Sequence, residues 1–160
     1  MISLQREPYS DALANEILPL GQKCWDEGTA LKGESCAYYG HRDVQIEPDL
    51  SLYRSVSDSG RLIIFTIRDE AKLVGYAVIM VYRSPHHQKL TTANGDSIYI
   101  EPEYRVHSPV LLDKIINEVK SAGAVTLNWW VSKDGHMYAL LEKMGFVGDE
   151  IVMEKFLCAS

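Results

Sequence analysis

Residues 98–115 read IYIEPEYRVHSPVLLDKI. Ile98, Tyr99 and Ile100 are strand-prone, and the charged, proline-containing Glu101-Pro102-Glu103 ends the strand. Apolar residues return at Leu111, Leu112, Ile115, Ile116 and Val119, a 3.6-residue period, with Gly123 as the stop. Ser108 fits a helix N-cap and Pro109 the first helical position. The stretch is therefore a strand, a turn and a helix. A helix start offers free backbone N–H groups and the positive end of the helix dipole, and Arg105 stands just before it, which suits an anion. Against this, Val106 and His107 put Cβ atoms where glycines would let a phosphate approach, and Pro109 removes a donor.

Working outward, residues 61–83 (RLIIFTIRDEAKLVGYAVIMVYR) are two β-rich runs joined at Asp69-Glu70-Ala71-Lys72, a hairpin. A loop is expected over 84–96 (SPHHQKLTTANGD), followed by the strand SIYIEP. Beyond the helix come a strand at 125–131 (VTLNWWV), a helix at 136–144 (HMYALLEKM) with Met137, Leu140, Leu141 and Met144 on one face, and a closing strand at 150–157 (EIVMEKFL). Trp129 and Trp130, at period two, face opposite sides, one toward the core and one toward a site. Toward the N-terminus, residues 2–6 alternate as a strand, and Ser10 caps a helix that Pro19 should kink. Residues 28–47 read as a long loop, and Pro48 fits the first turn of a helix over PDLSLYRSV. Consecutive strands followed by strand-helix units imply a mixed sheet with helices on both faces.

The 160 residues suffice for a single domain spanning 1–160, and the apolar share of 46% is that of a globular chain. A net charge of −6 with no basic stripe opposes nucleic-acid binding. The longest apolar run, LVGYAVIMVY, is too short to span a bilayer, and MISLQREPYS lacks the apolar core of a signal peptide. Cys24, Cys36 and Cys158 show no metal or disulfide spacing, which suggests reduced thiols in a cytoplasmic protein. The adjacent His86 and His87 have no partners at metal-ligand spacing, so no metal is expected; they are candidates to line an acceptor site.

Three pieces together resemble the GNAT family of N-acetyltransferases: the hairpin at 61–79, SIYIEPEYR with the helix after it, and ALLEKMGFVGDEIVMEKFL. The HHQKL…ANGDSIYIEPEYR stretch also resembles a phage or prophage subgroup. The resemblance implies an α/β (α+β) fold with a mixed, mostly antiparallel sheet of about six strands, helices on both faces and splayed central strands. It implies acetyl-CoA as cosubstrate and an amine of a small molecule or protein as acceptor, with a homodimer left open. Cofactor contacts then fall on Ile98, Tyr99 and Ile100, with the Ile100 N–H facing the thioester oxygen. The pyrophosphate falls on Arg105, Val106, His107, Ser108, Val110 and Leu111. Asp96 is either the general base or a residue that orders the turn Asn94-Gly95-Asp96. The family's general acid is often the tyrosine of a pattern like LYEKLGF, which here is Leu141; Tyr138, one turn earlier, is either its substitute or a helix-edge tyrosine. The alternative is a catalytically weak or inactive GNAT-like protein that binds a host protein for a phage.

Overall fold

A computed structural model describes residues 1–32 and 45–148. The expected closing strand and part of the expected long loop lie outside the described residues. The elements are β1 (Ile2–Glu7), α1 (Asp11–Lys32), α2 (Leu50–Asp58), β2 (Leu62–Asp69), β3 (Lys72–Arg83), β4 (Thr91–Ile100), a 3₁₀ turn (Pro102–His107), α3 (Ser108–Ser121), β5 (Ala124–Trp129) and α4 (His136–Lys143). The five described strands lie in chain order in one sheet. Neighbours are antiparallel except β4 and β5, which run parallel.

The sheet is covered on both sides, which explains why β2 and β3 are near-continuous apolar runs rather than alternating ones. Ile63, Phe65 and Ile67 face a core completed by Leu111, Leu112, Ile115 and Val119 of α3 and Leu141 of α4. Leu62, Ile64, Tyr76 and Val78 face the opposite core, completed by Leu13 and Leu20 of α1. Each fully buried aliphatic side chain contributes roughly 1.5–3 kcal/mol, so α3 is anchored mainly by its 3.6-period stripe.

Several expectations change. Helix α1 continues through Pro19, which sits on its exposed side, where losing one backbone hydrogen bond leaves a carbonyl to water. Gly21 lets α1 lie close to the sheet: a Cβ there would sit 2.9 Å from Ile46 Cδ1 and 3.4 Å from the Tyr76 hydroxyl. Pro48 lies before α2, whose N-cap is Asp49, accepting from the N–H groups of Ser51 and Leu52. Asn94, Gly95 and Asp96 form no turn; they lie inside β4, which begins at Thr91. The loop before it is only Ser84 to Leu90, with His86 and His87 exposed.

The register of β4 sets up the site. Val78 pairs with Ser97 and Ile79 with Gly95, so Asp96 is the extra residue of a β-bulge. The β4–β5 ladder runs from Thr91↔Ala124 to Gly95↔Trp129 and stops. β5 ends at Trp129, so Asp96 to Ile100 of β4 run on without a strand neighbour on that side among the described residues, where the splay was expected.

Candidate active site

Past the end of β5, one edge of β4 is open among the described residues. Successive N–H groups in a strand point to opposite sides. The Glu101 N–H donates to the Val74 carbonyl on β3, so the Ile100 and Ile98 backbones face away from β3, into the gap. Their carbonyls agree: Ile100 O accepts from Arg105 Nε at 3.1 Å and Ile98 O from Cys24 Sγ at 3.4 Å. The N–H groups of Ile98 and Ile100 have no ladder partner on that side among the described residues.

A cavity of about 780 Å³ opens against this edge. Its floor is Asp96 to Ile100, with α1 along one side, residues 45–50 and Tyr53 along another, and the β5–α4 connection (129–137) along the third. Gly95 carries the ring of Trp129: a Cβ there would fall 2.0 Å from a ring carbon, so the indole lies flat on the backbone where the β4–β5 ladder ends. The Trp129 Nε1–H is buried and has no acceptor among the described residues. Trp129 packs against the core and Trp130 is 82% exposed, yet both reach the cavity wall.

Tyrosines and carboxylates supply the chemistry. The Tyr53 hydroxyl donates to Asp96 at 2.6 Å. Burial, and the Asp96 carboxylate, push the Tyr53 phenol well above its ordinary range, so it stays a proton donor. Tyr76, nearly fully buried, shares a 2.6 Å hydrogen bond with Ser97, and burial raises its pKa too. Burial also pushes the Cys24 thiol up, which makes it a poor nucleophile. Tyr99, pushed up to about 12 by burial and by Glu27, donates to Glu27 at 3.3 Å.

Arg105 is already engaged. Its Nη2 donates to both oxygens of Glu27, at 2.9 and 2.7 Å, while Nε holds the Ile100 carbonyl. His136, at the start of α4, lines the same end of the cavity; burial and the nearby Arg105 charge lower its pKa, so it is neutral at neutral pH.

The helix start differs from expectation. Ser108 is the first residue of α3 rather than its cap; the cap position is His107, with no side-chain hydrogen bond. Pro102–His107 wind into a 3₁₀ turn, Tyr104 N–H bonds to Glu101 O, and the Ser108 N–H bonds to Arg105 O. Non-glycine residues at 106–108 favour this winding, and it turns inward the N–H groups that a phosphate cradle would present. Ser108 and Leu111 are buried, while Val106 and Val110 are exposed. With Pro109 lacking a donor, Val110 is the first-turn N–H left for an anion. Tyr138 does not line the cavity; its phenol lies beside Glu142, which raises its pKa. Leu141 is core, 5% exposed. The cavity lining thus brings together Asp96, Ile98, Tyr99, Ile100, Arg105 and Ser108, and does not include Val106, His107, Val110, Leu111 or Tyr138. It adds Glu27, Tyr53, Tyr76 and His136, which sequence patterns did not mark. Among the described residues no cluster of His, Cys, Asp and Glu could hold a metal ion, and no helix is long and apolar enough to cross a membrane.

A mixed sheet with a bulged strand running past its parallel neighbour beside a cavity accords with the expected GNAT-type fold. The acetyltransferase (GNAT) family model matches residues 28–146, and the chain belongs to that family. No curated protein matches it. Among solved structures, a tetramutant of the BH1408 protein from Bacillus halodurans is similar over 96% of this chain and 98% of that one, with TM-score 0.75 and 14% identity. An aminoglycoside acetyltransferase, meta-AAC0020, from an uncultured soil metagenomic sample in complex with sisomicin aligns over 99% of this chain and 97% of that one, with TM-score 0.68 and 12% identity. A predicted acetyltransferase with acetyl-CoA from Clostridium acetobutylicum aligns over 98% of this chain and 97% of that one, with TM-score 0.65 and 17% identity. Such identities establish a shared fold.

Proposed function

We propose that the protein transfers the acetyl group of acetyl-CoA to a primary amine of a small molecule or protein. The observation that carries this reading is the unpaired β4 edge beside Asp96: the Ile98 and Ile100 N–H groups open into the cavity next to a carboxylate held on a bulge. In the proposed reaction the Ile100 N–H donates to the thioester carbonyl oxygen as negative charge develops there. Asp96 takes a proton from the bound ammonium, directly or through water, which frees the nitrogen lone pair for attack, with Tyr53 fixing its carboxylate. The amine nitrogen–carbon bond forms, the nitrogen's second proton passes to solvent, the carbon–sulfur bond breaks, and the thiolate takes a proton from solvent. Tyr138 has no step in this scheme because of its position.

The pantetheine arm suits the edge of β4, with the Trp129 indole N–H as a further donor. The pyrophosphate end is the weaker half, since Arg105 is bound to Glu27 and the 3₁₀ turn consumes amides. This same feature supports the alternative, a catalytically weak or inactive GNAT-like binding factor. The phage-type subgroup rests on sequence resemblance alone. A cytoplasmic setting accords with the free thiol of Cys24. Titration calorimetry and melting curves with acetyl-CoA test the reading: binding must raise the melting temperature, and millimolar acetyl-CoA without heat or stabilisation refutes it.

A further inference from the structure

Among the described residues the cavity wall carries three carboxylates, and they differ in what holds them. Glu27 is bound to Arg105. Glu47 is exposed at the rim. Asp96 accepts only the neutral Tyr53 hydroxyl, with no ion pair among the described residues. The basic groups on the wall offer Asp96 nothing: Arg105 is taken, and His136 stands with it at the other end. Both Glu47 and Asp96 are exposed and lack a cationic partner among the described residues, but only Asp96 is fixed by a hydrogen bond, so the acceptor region presents one held, uncompensated anion. The cavity wall is largely apolar, with Ile17, Leu18, Trp25, Ile46, Leu50 and Trp130 among its lining residues.

We infer that the acceptor is a primary amine with a single positive charge on an apolar, ring-sized body, its ammonium at Asp96. This deepens the acetyl-transfer reading and rests on it. An ammonium at Asp96 gains a charge-assisted hydrogen bond and the neighbouring Tyr53 ring. The apolar body buries against the aliphatic and indole walls. A polyhydroxylated polyamine has several hydroxyls and ammonium groups to desolvate, and these walls satisfy few of them. A short alkylamine meets the carboxylate but leaves the walls wet.

The test titrates four probes into the full chain by calorimetry: 2-phenylethylamine, ethylamine, 2-phenylethanol and sisomicin. The same titrations are run on Asp96→Asn, and acetyl-CoA is titrated alone in parallel. The expected result is that 2-phenylethylamine binds wild type at least about tenfold tighter than each other probe, and that Asp96→Asn loses at least about tenfold of that affinity. A smaller preference, a smaller loss in Asp96→Asn, or no binding of 2-phenylethylamine at millimolar concentration overturns the inference. The alcohol reports the charge requirement on wild type even if the variant does not fold. Acetyl-CoA binding separates the two levels: if the amine binds through Asp96 but acetyl-CoA does not bind, the acetyl-transfer reading falls and the pocket's selectivity stands. If acetyl-CoA binds and the amine does not, the selectivity falls and the reading stands.

Discussion

The Tyr53 hydroxyl sits 2.6 Å from the Asp96 carboxylate and donates to it across 43 residues of sequence. This contact ties α2 to the bulge in β4 and aims the carboxylate at the cavity. If Asp96 accepts the amine's proton, Asp96→Asn lowers turnover by about 10²–10⁴ with acetyl-CoA affinity nearly unchanged. Tyr53→Phe keeps the carboxylate but frees it to rotate, so a smaller loss of turnover is expected. A thiol-release assay beside melting curves of both variants is the measurement. Full activity per folded molecule in Asp96→Asn removes the residue from the mechanism.

At Gly95 the constraint is steric. Any side chain there meets the Trp129 ring at 2.0 Å, and the ring is boxed between the strand and the core. Gly95→Ala should destabilise the protein by about 1–3 kcal/mol, the usual range for overpacking. Urea unfolding followed by tryptophan fluorescence checks it, and an unchanged midpoint shows that the indole moves aside freely.

The hairpin and α3 were legible because their signals are local. Residues 62–67 and 73–79 are unbroken β-prone runs around a polar turn, and the α3 stripe repeats at the helical period. The start of β4 was not, since Asn94-Gly95-Asp96 spells a turn and the bulge at Asp96 breaks the alternation that marks a strand. Glu27 was not singled out because the sequence left open whether residues 23–28 continue or end the first helix, whereas α1 runs on to Lys32. Its partner Arg105 is 78 residues away, and no local pattern encodes that pairing.

Glu70 has φ 55°, a left-handed conformation that non-glycine residues adopt at a cost of roughly 1–2 kcal/mol. The hairpin turn nonetheless closes on it. Glu70→Gly should therefore raise stability by about 1 kcal/mol, less whatever the greater freedom of glycine in the unfolded chain takes back. A melting temperature below that of the parent protein contradicts this.

Arg68 joins three elements, bonding Glu7 of β1 and Glu16 of α1 from β2. Its hydrogen bonds lower the pKa of both carboxylates. A depressed folded-state pKa means that the unfolded chain binds protons first, so stability is full above the ordinary value near 4.5 and is lost as pH falls below it. Arg68→Met removes both pairs and leaves Glu7 half-buried with Thr66 and Gln5. The variant should be less stable at pH 7, and the gap should narrow between pH 4.5 and 3. Parallel urea midpoints at pH 7 and pH 3.5 measure it; a gap that does not narrow assigns the loss to packing of the arginine stem.

Glu27 competes with any phosphate for Arg105. The guanidinium donates to both Glu27 oxygens and to the Ile100 carbonyl, so it cannot reach an anion at the start of α3 without giving up a carboxylate partner. Glu27→Gln removes the charge while keeping the side chain's size. If the pyrophosphate lies at the start of α3, Arg105, freed of its ionic partner, turns to it, and acetyl-CoA should bind several-fold tighter, with the increase shrinking as salt rises. Arg105→Ala made in the Glu27→Gln background should abolish the gain, because the gain acts through that guanidinium. Calorimetry on the three proteins at two salt concentrations decides the matter. Equal or weaker affinity in Glu27→Gln means that Arg105 is a brace for the β4 edge and the pyrophosphate lies elsewhere.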